Sequence, residues 1–275
     1  MAQTKHQIQS LLAEADSEPR RRFGQNFMID QNLVRLIAET GMILPSDTAI
    51  EVGPGTGTLT EELLSRAGRV IAVEIDRDLA GLLRERFGAD SKFHLIEGDA
   101  LSGKHGLNEQ LLESLQGPTK LIANLPYNIA SPLIIELLIA GVDLLVFTVQ
   151  KEVADRLRAT PADDAYGALS VVAQMLARVE VLRTLPPQAF WPAPKVESAL
   201  VRMTRDNQLD NRADQFSRFV HRIFSYRRKT LRKAMAEAGY DPIILEPLKI
   251  DPQLRPENIT PQQFQQLFEL ATPKA

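Results

Sequence analysis

Apolar residues run along most of this chain in two alternating rhythms, short continuous stretches and spacings of three to four. Residues 1–19 are polar apart from one apolar patch at 8–12, which predicts a small helix or a loose N-terminal tail. Leu33, Val34, Leu36 and Ile37 mark one face of a helix that Gly41 stops. The run 48–52 reads as a strand and leads into Gly53-Pro-Gly-Thr-Gly57. Leu59, Leu63 and Leu64 belong to the next helix, 69–75 to a strand, and Leu79, Leu82, Leu83 and Phe87 to a helix closed by Gly88. Further strands are predicted at 93–96, 121–123 and 144–149, separated by helical stretches near 107–116 and 130–140. This βαβ rhythm predicts a mostly parallel sheet with helices on both faces.

The rhythm then changes. Strands at 179–182 and 199–203 are joined by the proline-rich segment 185–196 and not by a long helix, which predicts an antiparallel pair at the sheet edge. After residue 204 the strand signals fade into a polar linker at 206–210. Helical spacing follows in Phe216, Phe219, Val220, Ile223 and Phe224, then Leu231 and Met235, then Phe264, Leu267 and Phe268, punctuated by Gly239 and Pro242. The expected organisation is a polar tail over 1–19, an α/β domain over 20–205 and a small all-helical domain over 211–275.

Composition adds bounds. With 275 residues, 44% hydrophobic and 24% charged, the chain can build a real core. Its formal net charge of −3 argues against a nucleic-acid partner. That mean hides an asymmetry, because residues 202–233 carry a local net of +7 and the remainder −10. From Arg218 to Lys233 there are seven cations and no acid. A mildly acidic chain with one concentrated basic patch suits a polyanionic partner. There is no cysteine, which excludes disulfides, thiolate catalysis and cysteine-based zinc sites, and no metal role is expected. No apolar run reaches the roughly 18 residues of a membrane span. The start has no signal-peptide core, and Glu14, Asp16 and Glu18 argue against a mitochondrial presequence. A cytoplasmic protein without a membrane partner is expected.

The glycine-rich turn after the first main strand lets backbone approach a ligand closely. Alone it is equally a structural turn or the loop of a nicotinamide enzyme. Gly53, Gly55 and Gly57 are spaced G-x-G-x-G, which is not the dinucleotide fingerprint, and no phosphate-loop Gly-Lys-Ser/Thr follows. Glu51 just before the loop would oppose a pyrophosphate but suits a cofactor with a cationic amino-acid end. Glu74 ends the next strand, where a carboxylate can take both ribose hydroxyls, with Ile75 beside it. Asp99, followed by Ala100, ends the third and can accept from an adenine amino group. Either acid alone is ordinarily a solvated strand end. Glycine loop, Glu and Asp in order at three successive strand ends point to S-adenosylmethionine.

Asn124-Leu-Pro-Tyr127 follows the fourth strand. An asparagine there is normally a turn former. It has a more specific reading with Leu125, Pro126 and Tyr127 behind it. The exocyclic amine of adenine is a poor nucleophile, because its lone pair is delocalised into the ring. Acceptors aimed at its two hydrogens favour the pyramidal nitrogen of the transition state. The Asn124 side-chain oxygen and the Leu125 carbonyl can be those acceptors, and Tyr127 can stack on the base.

At these residues the chain resembles the KsgA-type small-subunit ribosomal RNA adenine dimethyltransferases, bacterial members in particular. The likeness covers nearly the whole chain: Arg22-Phe-Gly-Gln-Asn-Phe27, 51–60, Glu74, Gly98-Asp-Ala100, 124–132, 150–154, 165–170, 186–199, 224–231 and Arg255-Pro-Glu-Asn-Ile-Thr260. It implies a class I, Rossmann-like methyltransferase sheet with a small C-terminal helical domain. It implies that Gln25, Asn26 and Phe27 close over S-adenosylmethionine, and that Gly53, Glu74 and Asp99 bind it. It implies that Phe190 sandwiches the target adenine opposite Tyr127, while the neighbouring Trp191 packs. The implied partner is 16S ribosomal RNA in the small subunit or its precursor, and the implied product is N6,N6-dimethyladenosine at two adjacent adenosines of a hairpin near the 3′ end. A monomer is expected.

The string 224–233 interleaves aromatics with cations. A charge run is usually a solvated helix face. Its purity of sign, the acidic remainder and the family likeness favour phosphate contacts by Arg222, Arg227, Arg228, Lys229, Arg232 and Lys233, with Arg20, Arg21 and Arg22 adding to the surface. Two alternatives remain. The related large-subunit methyltransferases of macrolide resistance share fold and chemistry, but usually carry Ile where Leu125 stands and lack the Arg-Arg-Lys-Thr-Leu string. A nucleic-acid-binding factor on a retired methyltransferase fold is argued against by the intact glycine loop, Glu74, Asp99 and Asn124.

Overall fold

Seven strands form the main sheet of the computed structural model, which describes residues 3–103, 106–206 and 208–272, the side chains of Arg21 and Asp210 excepted. In chain order the strands are β1 (Phe27–Met28), β2 (Thr48–Val52), β3 (Arg69–Glu74), β4 (Phe93–Glu97), β5 (Thr119–Asn124), β6 (Leu144–Gln150), β7 (Ala177–Leu185), β8 (Phe190–Trp191) and β9 (Ser198–Arg205). The main sheet runs β4-β3-β2-β5-β6-β9-β7, and β1 and β8 make a separate two-stranded ribbon. From β4 to β6 all pairs are parallel, and β9 lies antiparallel on β6. The strand order reverses between β2 and β5, the switch point outside whose strand ends open α/β sheets bind ligands. Strands β2, β3, β5 and β6 are buried along nearly their whole length, as strands covered on both faces must be.

The helices are α1 (Lys5–Glu14), α2 (Gln31–Thr40), α3 (Thr58–Leu64), α4 (Arg77–Phe87), α5 (Glu109–Glu113), α6 (Ala130–Ile139), α7 (Lys151–Arg158), α8 (Ala168–Leu176), α9 (Ala213–Phe224), α10 (Leu231–Glu237) and α11 (Pro261–Ala271). Asp30 and Asp76 cap α2 and α4 through their side chains, each satisfying backbone N–H groups at a helix start.

Of the two readings of 1–19 the helix is the one observed: Thr4 and Gln7 build a capping box on α1, and Ile8 and Leu12 are buried against Phe27, Leu79 and Leu82. Four-residue spacing puts Ile8 and Leu12 on one face, and burying that face holds the helix. Helices α7 and α8, between β6 and β7, are not among the predicted elements: α7 is short and mostly polar, and α8 is buried at nearly every position. The boundary at 205 is also crossed. Residues 3–154 and 180–205 form one compact unit, and 155–179, 206 and 208–272 form another. Chain order misleads here because α8 packs on α9 and α11.

Within the second unit Phe216, Phe219, Phe264 and Phe268 are fully buried, with the Phe268 ring against Phe216 and Phe219 and the Phe264 ring stacked on Phe224. The Tyr166 hydroxyl donates to the Ile259 carbonyl at 2.6 Å, tying 155–179 to the C-terminal segment.

Candidate active site

The strand ends of β2, β3 and β5 and the segment 23–28 line an open cleft. Gln25, Asn26, Phe27, Glu51, Gly53, Gly55, Glu74, Ile75, Asp99, Ala100, Asn124, Leu125, Pro126 and Tyr127 all line it. Gly57 is absent from the lining and starts α3 instead, at φ +82°. Gly53 and Gly55 also hold positive φ, at +72° and +61°. A Cβ on Gly53 would stand 2.9 Å from the Pro126 Cγ, and one on Gly55 2.9 Å from a Phe27 ring carbon. The loop therefore needs glycine both for its turn and for its packing against Pro126 and Phe27.

Two buried carboxylates lie under this loop. Glu51 accepts the Thr60 hydroxyl at 2.6 Å, and burial pushes its pKa up to about 8, with the Thr60 bond opposing and the Glu74 charge adding. Glu74 accepts the Gly55 N–H at 3.2 Å on one oxygen and the Asp76 N–H at 2.9 Å on the other. Burial raises its pKa to about 7, against those two bonds. Each Glu74 oxygen keeps a second lone pair for a ribose hydroxyl. Ile75 is 43% exposed at the cleft and offers an apolar face to a base. The Asp99 carboxylate accepts the Leu101 N–H at 3.0 Å and keeps acceptor capacity. A cationic nucleoside fits this donor set: acceptors for two hydroxyls, an apolar wall, and carboxyls that a positive charge would ionise.

Asn124 ends β5 with both amide atoms engaged. Its Nδ2 donates to the Asn26 carbonyl at 2.8 Å, and its Oδ1 accepts the Thr148 hydroxyl. A backbone carbonyl only accepts, so the nitrogen must face Asn26 and the oxygen Thr148. One Oδ1 lone pair remains. The Tyr127 hydroxyl shares a hydrogen bond of 2.6 Å with Ser198, and burial raises its pKa.

The model of the ribosomal RNA adenine dimethylases matches residues 17–272. The chain belongs to that family. It is 42% identical to a ribosomal RNA small subunit methyltransferase A of Magnetococcus marinus, over 97% of this chain and 96% of that one. A relative of the same name from Hahella chejuensis is also 42% identical, over 90% of both chains. Among solved structures, a dimethyladenosine transferase from Plasmodium falciparum superposes with a TM-score of 0.70 at 25% identity, covering 88% of this chain and 95% of its own. The 23S rRNA methyltransferase ErmE gives 0.63 at 25% identity, covering 90% and 99%.

Two site expectations for this dimethylase-family chain are corrected. Phe190 is 1% exposed, embedded in the sheet core opposite Met28 in the β1–β8 ribbon, and does not line the cleft. Strand alternation turns it inward, so it presents no face to a base. Its neighbour Trp191 is half-buried and stacks on Phe27 at 6.4 Å between ring centroids. Arg20 is not available to phosphate: its guanidinium pairs with Asp76 at 2.7 Å and with Asp78. Gln25 completes that clamp, donating to Asp76 at 3.0 Å and accepting the Arg20 N–H at 2.8 Å. Gln25 thus anchors the segment that lines the cleft. The side chain of Arg21 lies outside the described residues. Arg22 is exposed, over the Phe23 ring.

In the basic string, Arg222, Arg227, Arg228, Arg232 and Lys233 are exposed and make no ion pair among the described residues, whereas Lys229 pairs with Glu237 at 2.8 Å and lies over the Tyr226 ring. Arg218 pairs with Asp214 one turn away at 2.9 Å.

Sequence reasoning missed Thr148, Ser198 and Gln3. The Gln3 amide makes a reciprocal pair with Thr56 in the glycine loop, donating to its carbonyl at 3.1 Å and accepting its hydroxyl at 2.6 Å. Nothing in the sequence marks these partners, which come together only through sheet register and the fold of α1.

Proposed function

We propose that this chain transfers methyl groups from S-adenosylmethionine to the exocyclic N6 of two adjacent adenosines in the 3′-terminal hairpin of 16S ribosomal RNA, giving N6,N6-dimethyladenosines during small-subunit maturation. The observation that carries this reading is the fixed orientation of the Asn124 amide at the edge of the cleft that the glycine loop, Glu74 and Asp99 line. The small-subunit relatives match at 42% identity over nearly the whole chain, against 25% for ErmE, which favours the small-subunit target over the large.

S-adenosylmethionine, when bound, supplies a methyl group on a sulfonium that leaves as a neutral thioether. The glycine-loop backbone, Glu74, Ile75 and Asp99 hold the nucleoside end, and Glu51 lies toward the cationic amino-acid end. The target base must leave its stack to enter the site. Tyr127 offers its ring to the base. With one Oδ1 lone pair committed to Thr148, Asn124 accepts one N6 hydrogen, and the Leu125 carbonyl accepts the other. These contacts strengthen as the amine pyramidalises, so they act on the transition state. No strong base is required, because the proton becomes acidic once the nitrogen is alkylated. Arg222, Arg227, Arg228, Arg232 and Lys233 contact phosphates and carry no base information.

The test is incubation of the purified chain with undermethylated small subunits and methyl-labelled S-adenosylmethionine, with modified nucleosides located by primer extension and mass spectrometry. Dimethylation of two adjacent adenosines near the 3′ end is the expected product. Label confined to large-subunit RNA, or none at all, overturns the reading.

A further inference from the structure

Ser198 is the first residue of β9, fully buried, in antiparallel register with Gln150 at the end of β6. The Lys151 N–H donates to the Glu197 carbonyl at 2.9 Å and fastens the chain immediately before it. Its hydroxyl is thus presented from a sheet position with little freedom, and the partner it meets is the Tyr127 hydroxyl at 2.6 Å. Tyr127 is half-buried at the cleft, on the turn between β5 and α6. The turn carries the near end of that ring, and the bond to Ser198 holds its far end. We propose that Ser198 is a positioning residue for methyl transfer: it pins the para end of Tyr127, so that the ring face stands ready for an unstacked base before the base arrives. A side chain held from a strand by a directed bond is positioned more tightly than one held by its own loop. The antiparallel insertion of β9 beside β6 brings Ser198 to Tyr127, 71 residues away in sequence. This deepens the proposed function and rests on it.

The test is a double-mutant cycle on Ser198→Ala and Tyr127→Phe, with Ser198→Thr as the hydroxyl-retaining control, measured in parallel for methyl transfer to undermethylated small subunits and for denaturant stability. Positioning predicts that Ser198→Ala lowers kcat about five- to ten-fold, the scale of one lost oriented contact, with the KM for S-adenosylmethionine unchanged. Tyr127→Phe should cost a similar factor, and the double variant no more than either single one, because each removes the same bond. Ser198→Thr should recover most of the rate. A kcat for folded Ser198→Ala within about two-fold of wild type, additive rate losses, or a Ser198→Thr as slow as Ser198→Ala would each overturn the proposal. The stability cycle reads the Tyr127–Ser198 coupling without any substrate, and zero coupling there also overturns it. A wild-type chain that methylates no subunit adenine sinks the proposed function instead, while the stability cycle still reports on the bond.

Discussion

At the residue scale the cleft is governed by a few groups whose partners dictate their chemistry. The Asn124 amide is oriented by a carbonyl on one side and a hydroxyl on the other, and in the proposed function the acceptor it keeps acts on the transition state. Asn124→Ala should lower transfer by about two orders of magnitude or more, the usual cost of a lost transition-state acceptor, with cofactor affinity by calorimetry little changed. Near wild-type turnover on undermethylated subunits would remove it from the chemistry. Glu51 and Glu74 carry a pH dependence whose sign follows from burial. Their folded pKa values, about 8 and about 7, lie above the ordinary 4.5, so the folded chain binds more protons than the unfolded one between those limits. Stability should therefore fall as pH rises from 4.5 toward 8, and be free of this cost below 4.5. Glu51→Gln keeps an acceptor for Thr60 and removes the ionisation. Its melting temperature should exceed that of wild type at pH 8 and converge with it near pH 5, and parallel melting curves across that range would show that burial of Glu51 carries no such cost.

At the element scale, short pieces far apart in sequence hold the glycine loop. Helix α1 precedes the region matched by the family model, yet it buries Ile8 and Leu12 against Phe27 and α4 while Gln3 pairs with Thr56. Ile8→Ala should destabilise the chain by about 2–4 kcal/mol, as a fully buried apolar truncation does, and should weaken cofactor binding through Phe27. An unchanged denaturation midpoint would show that α1 is not docked in solution. Gly55 meets Phe27 from the other side. Gly55→Ala adds a methyl where φ is +61° and the Phe27 ring lies at 2.9 Å, so it should cost about 1 kcal/mol or more of stability and lower cofactor affinity. Equal calorimetric affinity for the folded variant would mean that the loop tolerates a side chain there.

At the scale of the whole molecule, charge divides the labour. The chain is mildly acidic, but five exposed cations on and around α9 and α10 have no acidic partner among the described residues. Reversing the charge at Arg227 and Arg228 should weaken subunit binding and flatten its salt dependence, since each neutralised phosphate releases counterions. S-adenosylmethionine affinity should not move, because every residue lining the cleft belongs to the other unit. Coincident salt curves for wild type and a folded double variant would show the string to be only a solvated surface.

The alternating patterns alone determined the parallel sheet, its strand ends and the order of glycine loop, Glu74, Asp99 and Asn124 along them, because strand periodicity and turn chemistry are local. The helical C-terminal segment was legible for the same reason. Tertiary structure decided what local pattern does not encode. It turned Phe190 into the core and consumed Arg20 and Lys229 in ion pairs, since a side chain's exposure and partners depend on segments that only folding brings near. It moved α8 into the helical unit, because a helix buried at nearly every position joins whichever neighbours can cover it. And it brought Ser198 and Thr148 to Tyr127 and Asn124, through the register of strands whose pairing no sequence spacing announces.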